Sequence, residues 1–132
     1  MELIVEAKTE KLDEVIDFID AFLEKMECPM KTMTQIDVAV EEIFVNIAHY
    51  SGSDKARITL TESDGVVSIT FADTGTPYNP LARPDPDTTL SAEERQIGGL
   101  GIYIVKKTMD SVNYEYRDGC NVFTIRKTVK CS

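Results

Sequence analysis

The chain has 132 residues, 42% of them apolar and 28% charged, the size and balance of one ordinary globular domain with enough length to bury a core. Asp and Glu total 23 against 14 Lys and Arg, a net charge of −9. That argues against a basic nucleic-acid-binding surface, and any bound anion must be held by a local device rather than by the overall field. Three cysteines (Cys28, Cys120, Cys131) and a single histidine, His49, fit neither a disulfide framework nor a zinc cage. Reduced thiols in a cytoplasmic protein are the expectation. The N-terminus lacks the order of a secretory leader, and no stretch approaches the roughly 20 apolar residues of a membrane helix.

Residues 2–7 predict a short strand. From Thr9 onward, Leu12, Val15, Ile16, Ile19, Phe22, Leu23 and Met26 recur at steps of three and four, with Asp13, Glu14, Asp17, Glu24 and Lys25 on the opposite face. This is the pattern of an amphipathic helix, which Cys28-Pro29 is expected to end. A second helix is expected from Thr34, where Thr34 and Asp37 have the spacing of a capping box, to about Tyr50, with Ile36, Val40, Ile43 and Ile47 inward. Residues 57–62 and 66–72 flank Asp64-Gly65 as a hairpin. Residues 74–97 carry Pro77, Pro80, Pro84 and Pro86 among acidic groups, with one short helix capped at Ser91. A loop this long in a small domain is usually functional. Gly98-Gly99-Leu100-Gly101 opens a third helix over 100–109, with Ile102, Val105 and Met109 inward. Residues 112–117 and 121–128 about Asp118-Gly119 form a second hairpin. The order β-α-α-β-β-loop-α-β-β predicts an α+β two-layer sandwich, a mostly antiparallel sheet with about three helices on one face.

Three groups of residues have chemical potential. Glu42, Asn46 and His49 share one stripe of the second helix. Such a trio is either a solvated helix face or a carboxylate base beside an amide ligand for a hard cation; His49 is read as a surface residue. Asp73-Thr74-Gly75-Thr76-Pro77 leaves a hydrophobic strand. It is either a turn or a carboxylate that accepts a hydrogen bond from an exocyclic amine such as that of adenine, with Gly75 permitting close approach. Gly98-Gly99-Leu100-Gly101 either packs a helix on a sheet or offers free N–H groups to phosphate. It is neither a dinucleotide-binding fingerprint nor a P-loop.

Taken together and in this order, Glu-x-x-x-Asn, Asp-x-Gly-x-Pro, a proline-containing lid and Gly-Gly-x-Gly resemble the GHKL ATPase superfamily with its Bergerat ATP-binding fold. Nearly the whole chain is covered. Residues 41–47 are similar to the N-box of the small bacterial anti-sigma factor serine/threonine kinases, and residues 73–80 and 97–105 to their two glycine boxes. The resemblance implies one histidine kinase-like ATP-binding domain over 1–132 with a lid at about 78–97. It implies ATP and Mg²⁺ as cofactors and the phosphorylation of a small anti-sigma antagonist-like partner, with a sigma factor as a further partner and transcription as the regulated process. By the same resemblance Asn46 is the magnesium ligand, Glu42 takes the proton of the attacking hydroxyl, Asp73 reads adenine with Gly75 beside it, and Gly99, Leu100 and Gly101 meet the phosphates. Kinases of this type often place an arginine near the second glycine box; here Gln96-Ile97 precede it and Arg95 is the nearest cation. If Arg95 does not reach the phosphate, the alternative is a nucleotide-gated switch that binds its partner without turnover. A fragment of a sensor histidine kinase is disfavoured, since no helix presents a phospho-accepting histidine. A homodimer is a further expectation, from the apolar excess of the first helix and the pairing of related small kinases.

Overall fold

A computed structural model describes residues 1–77, Asn79 and 99–129. In chain order the elements are β1 (Glu2–Glu6), α1 (Leu12–Lys25), α2 (Met30–Asn46), β2 (Lys55–Ser63), β3 (Val66–Asp73), α3 (Gly99–Thr108), β4 (Ser111–Arg117) and β5 (Cys120–Thr128). A 3₁₀ turn at Thr9–Lys11 leads into α1, and a π-helical stretch, Ile47–Ser51, continues α2. The strands form one sheet in the order β1-β2-β3-β5-β4, with every neighbouring pair antiparallel.

The period-two pattern of the strands decides which face is covered. Ala56, Ile58 and Leu60 of β2, Val67, Ile69 and Phe71 of β3, and Phe123 and Ile125 of β5 are all buried. Against them pack Val15, Ile19 and Leu23 of α1, Ile36, Val40, Ile43 and Phe44 of α2, and Val105 of α3. Each such aliphatic or aromatic side chain contributes about 1.5–3 kcal/mol on burial. Both hairpins turn on an Asp-Gly pair with positive φ at each residue: Asp64 (52°) with Gly65 (83°), and Asp118 (54°) with Gly119 (78°). Those are the central angles of the tight turn that matches strand twist. The predicted two-layer α+β sandwich is therefore the observed one, and no helix among the described residues is long and apolar enough to cross a membrane.

Two predicted boundaries are corrected. The first helix does not run to Cys28-Pro29. It closes at Lys25 in a Schellman motif, with Cys28 N–H donating to the Leu23 carbonyl (3.1 Å) and Glu27 N–H to that of Glu24 (3.0 Å), and Glu27 takes the left-handed position at φ 56°. The second helix does not begin with a capping box at Thr34. It begins at Met30 directly after Pro29, whose fixed φ suits a helix entrance. Thr34 lies one turn inside, its hydroxyl donating back to the Met30 carbonyl at 3.0 Å, the alternative use of a threonine oxygen in a helix.

Of the apolar excess of α1, Ile16, Phe18 and Phe22 are partly buried and pack against the chain's own core. Of the predicted lid at 78–97 only Asn79 is described; the rest, with its short helix, lies outside the described residues. Cys28 and Cys120 are free thiols.

Candidate functional site

The site is built where α2 ends beside the exit of β3. Asn46 is the last residue of α2 and is buried at 5% exposure. Its position follows from the helical period: Ile36, Val40 and Ile43 turn the helix face inward, and residue 46 falls on the same side one turn after Ile43. Its Nδ2 is buried with no hydrogen-bond partner among the described residues. A buried amide left unsatisfied costs free energy unless something reaches it.

Asp73 is the last residue of β3, on the inward side of the pleat and likewise 5% exposed. Its Oδ1 accepts from the Gly75 N–H at 2.9 Å and from Asn121 Nδ2 at 3.0 Å. Asn46 and Asp73 line the same cleft, about 350 Å³ including its open mouth, together with Ile43, Ile47, Ser51, Phe71, Tyr114, Asn121 and Phe123. A concave, largely apolar pocket with a few convergent polar groups has the composition of a small-molecule site.

The π-helical stretch joins the two halves. Its wider turn brings the buried Ser51 against the residues after β3, where the Ser51 carbonyl accepts from Thr76 N–H at 2.7 Å. Gly75 is required by this approach: a Cβ there would lie 2.0 Å from the Ser51 carbonyl oxygen. The expected reason for this glycine, close access for a ligand, is thus joined by a second one inside the protein. Single π turns of this kind recur at functional sites.

Glu42, one turn before Asn46, is half-buried and does not line the cleft. Burial raises its carboxyl above the ordinary glutamate value, and the neighbouring Glu41 charge raises it further, which strengthens it as a base. His49 is exposed in the π stretch. The change of helical period there takes it off the Glu42–Asn46 stripe expected from a regular helix. Gly99, Leu100 and Gly101 form the first turn of α3, whose leading N–H groups have no partner within the helix; α3 itself packs on α2. Gly98 and Arg95 lie outside the described residues.

Sequence reasoning missed three members. Asn121 is buried at 5% and, besides Asp73, donates to the Thr76 carbonyl at 2.9 Å. Tyr114 donates its hydroxyl to Asn121 Oδ1. Ser51 reaches Thr76 through its carbonyl, while its hydroxyl accepts from the Ser53 N–H at 3.1 Å.

Residues 5–127 match the histidine kinase-like ATPase domain family. Over 69 residues the chain is 32% identical to the serine/threonine-protein kinase BtrW of Bordetella bronchiseptica, a match covering 52% of this chain and 49% of that kinase. The chain therefore spans about half the length of this relative. Two solved structures share the fold at 13% identity. The RsbU and RsbW domains of a Mycobacterium tuberculosis protein match 100% of this chain and 33% of that one with a TM-score of 0.66. The SiaB–SiaC complex of Pseudomonas aeruginosa yields a match over 96% of this chain and 88% of that one, with a TM-score of 0.62.

Proposed function

The chain belongs to the histidine kinase-like ATPase domain family, and from that premise we propose that it is an ATP-dependent protein serine/threonine kinase of the anti-sigma regulatory type. Its substrate is a hydroxyl on a small antagonist-like regulatory protein. In this reading residues 1–132 form one nucleotide-binding domain with a lid at 78–97. The observation that carries the proposal is the single cleft lined by both Asn46 and Asp73, with Glu42 one helical turn away on the same element. The likeness to a serine/threonine kinase supports the reaction class, and the complex among the structural neighbours supports a small protein partner.

Asn46 would hold a magnesium ion through its side-chain oxygen, since a carbonyl-type oxygen suits a hard cation, while its buried amide nitrogen, unmatched among the described residues, would donate to a phosphate oxygen. When bound, the ion offsets phosphate charge. Asp73 receives the amine edge of the base, and the first turn of α3 at Gly99–Gly101 offers N–H groups to phosphate. Glu42 takes the proton of the partner's hydroxyl as its oxygen bonds to the terminal phosphorus. The bond from that phosphorus to the bridging oxygen breaks, and ADP leaves with the electron pair. Positioned bases contribute on the order of 10²–10⁴ in rate.

The test compares Glu42→Gln with Asn46→Ala. Glu42→Gln should cut phosphoryl transfer to the partner by at least about a hundredfold while leaving ATP affinity nearly unchanged, the pattern of an interaction made in the transition state. Asn46→Ala should weaken Mg²⁺-ATP binding itself. Parental transfer by Glu42→Gln removes Glu42 from the reaction. A parent that binds ATP, changes partner affinity with it and transfers no phosphate to any partner is a nucleotide-gated switch instead.

A further inference from the structure

We infer that Tyr114 and Asn121 are positioning residues for the Asp73 carboxylate, and that through it they set the preference for an aminopurine over its oxo counterpart. The inference rests on the nucleotide reading above and adds residues that no motif carried. Asn121 of β5 stands directly opposite Asp73 of β3 in the strand register. Tyr114 of β4 pairs with Phe123, which makes it the diagonal neighbour of Asn121 on the same face, within reach of a long side chain.

The orientation of the Asn121 amide is fixed from three sides. Its nitrogen faces three acceptors, Asp73 Oδ1 at 3.0 Å, the Thr76 carbonyl at 2.9 Å and the Gly75 carbonyl at 3.5 Å, while its oxygen receives the Tyr114 hydroxyl. Turned over, the amide would set oxygen against the carboxylate and both carbonyls. The fixed amide in turn fixes the carboxylate. Asp73 Oδ1 is held by Asn121 Nδ2 and by the Gly75 N–H at 2.9 Å, two donors from different segments, so the plane of the carboxylate and the position of Oδ2 are set before any ligand arrives.

A merely structural role is a poor account of this network. The β3–β5 ladder is already paired over eight residues of β3, from Val66 to Asp73, and needs no further tie. The network instead sits among Ile43, Ile47, Phe71 and Phe123 on the wall of the cleft, where polar groups are costly unless every member is matched. A carboxylate oxygen fixed there accepts from an exocyclic amine and meets an exocyclic carbonyl lone pair to lone pair. If the carboxylate is free to swing, it loses that discrimination.

The experiment measures the affinity of the whole protein for ATP and for inosine triphosphate, which carries an oxo group in place of the amine. The variants are Tyr114→Phe and Asn121→Ser, with Tyr114→Phe repeated in an Asp73→Ala background. Side-chain amide exchange of Asn121 is followed by NMR without nucleotide. The parent should prefer ATP and show Asn121 amide protons protected relative to those of the exposed Asn113. Tyr114→Phe, which keeps the ring, should lower the ATP-to-inosine-triphosphate ratio about fivefold, the worth of one hydrogen bond. It should also speed the amide exchange and change neither affinity once Asp73 is gone. Equal losses for both nucleotides, an unchanged ratio in whichever variant folds, or unprotected Asn121 protons in the parent would overturn the positioning role. A parent that binds neither nucleotide overturns the nucleotide reading itself, and this inference with it.

Discussion

Replacing Gly75 by alanine tests the joint between the two halves of the cleft. The added Cβ would stand 2.0 Å from the Ser51 carbonyl oxygen, 2.6 Å from its carbon and 2.8 Å from the Ser51 Cβ. Ordinary contact begins near 3.4 Å, so the segments must part by about 3.4 − 2.0 = 1.4 Å. The obstacle is backbone and cannot rotate aside. That displacement takes the 2.7 Å hydrogen bond from Thr76 N–H to Ser51 out of range. Overpacking costs about 1–3 kcal/mol and the lost hydrogen bond about 0.5–1.5 kcal/mol, together roughly 2–4 kcal/mol. At about 2.1 cal/mol/K per residue, 132 residues give an unfolding entropy near 0.28 kcal/mol/K, so the midpoint should fall by roughly 7–14 °C. ATP affinity should fall by about tenfold, because the Gly75 N–H that holds Asp73 Oδ1 moves with the turn. Calorimetric melting and isothermal titration measure the two effects. Gly119→Ala is the contrast: its site has φ 78° and open space around it, so only the conformational cost of about 1–2 kcal/mol applies. A Gly75→Ala protein that melts within about 2 °C of the parent and binds ATP equally well would refute the close approach and the coupling drawn from it.

Asp73→Asn should weaken adenine-nucleotide binding by about tenfold or more with the fold retained, as titration calorimetry would show. The two donors on Oδ1 keep an oxygen there, so the new amide presents N–H where the base amine arrives, a mismatch of about 1–3 kcal/mol. Asp37 of α2 is pushed up to about 7 by burial, by its hydrogen bond with Asp20 of α1 and by the charge of Asp20. A carboxyl raised in the folded state contributes stability that is fully present below its ordinary value near 4 and is lost as pH rises through about 7. Asp37→Asn should therefore flatten the fall in melting temperature between pH 5 and pH 8, worth roughly 1–2 kcal/mol after discounting for solvent screening. Identical pH slopes in parent and variant would show that the pair shares no proton.

The parts of the fold readable in advance were those written in local periodicity. The alternation of 57–62 and the β-branched, apolar run of 66–72 about Asp64-Gly65 mark a hairpin, and the three- and four-residue steps from Leu12 to Leu23 can bury only one side of a helix. Both errors of boundary came from residues with two uses. Thr34 has an oxygen that either caps a helix or bonds back along one, and the free Pro29 entrance decided for the second. Glu27 is not a glycine, so nothing in its identity announced the left-handed position that closes α1.

The candidate site was legible where a residue stands out by its own type and illegible where it stands out only by position. Asn46 stood out on one helical stripe with Glu42, and Asp73 as a carboxylate at the exit of an apolar strand. Asn121 read as an ordinary strand residue, since what distinguishes it is a pairing with Asp73 across 48 residues of sequence, and Tyr114 depends in turn on Asn121. Ser51 meets Thr76 through its carbonyl, a contact that its side-chain type does not announce.

Ser51 nevertheless binds the arrangement together. From the buried amide of Asn46 the chain makes one wide π turn to Ser51, which holds Thr76, which receives Asn121, which holds Asp73. The residue proposed for the metal and the residue proposed for the base are thus connected by the segment 47–51 and a short series of hydrogen bonds. In the proposed reading, the nucleotide base would meet Asp73 at one end of this chain of contacts, and Glu42 would stand one turn before Asn46 at the other.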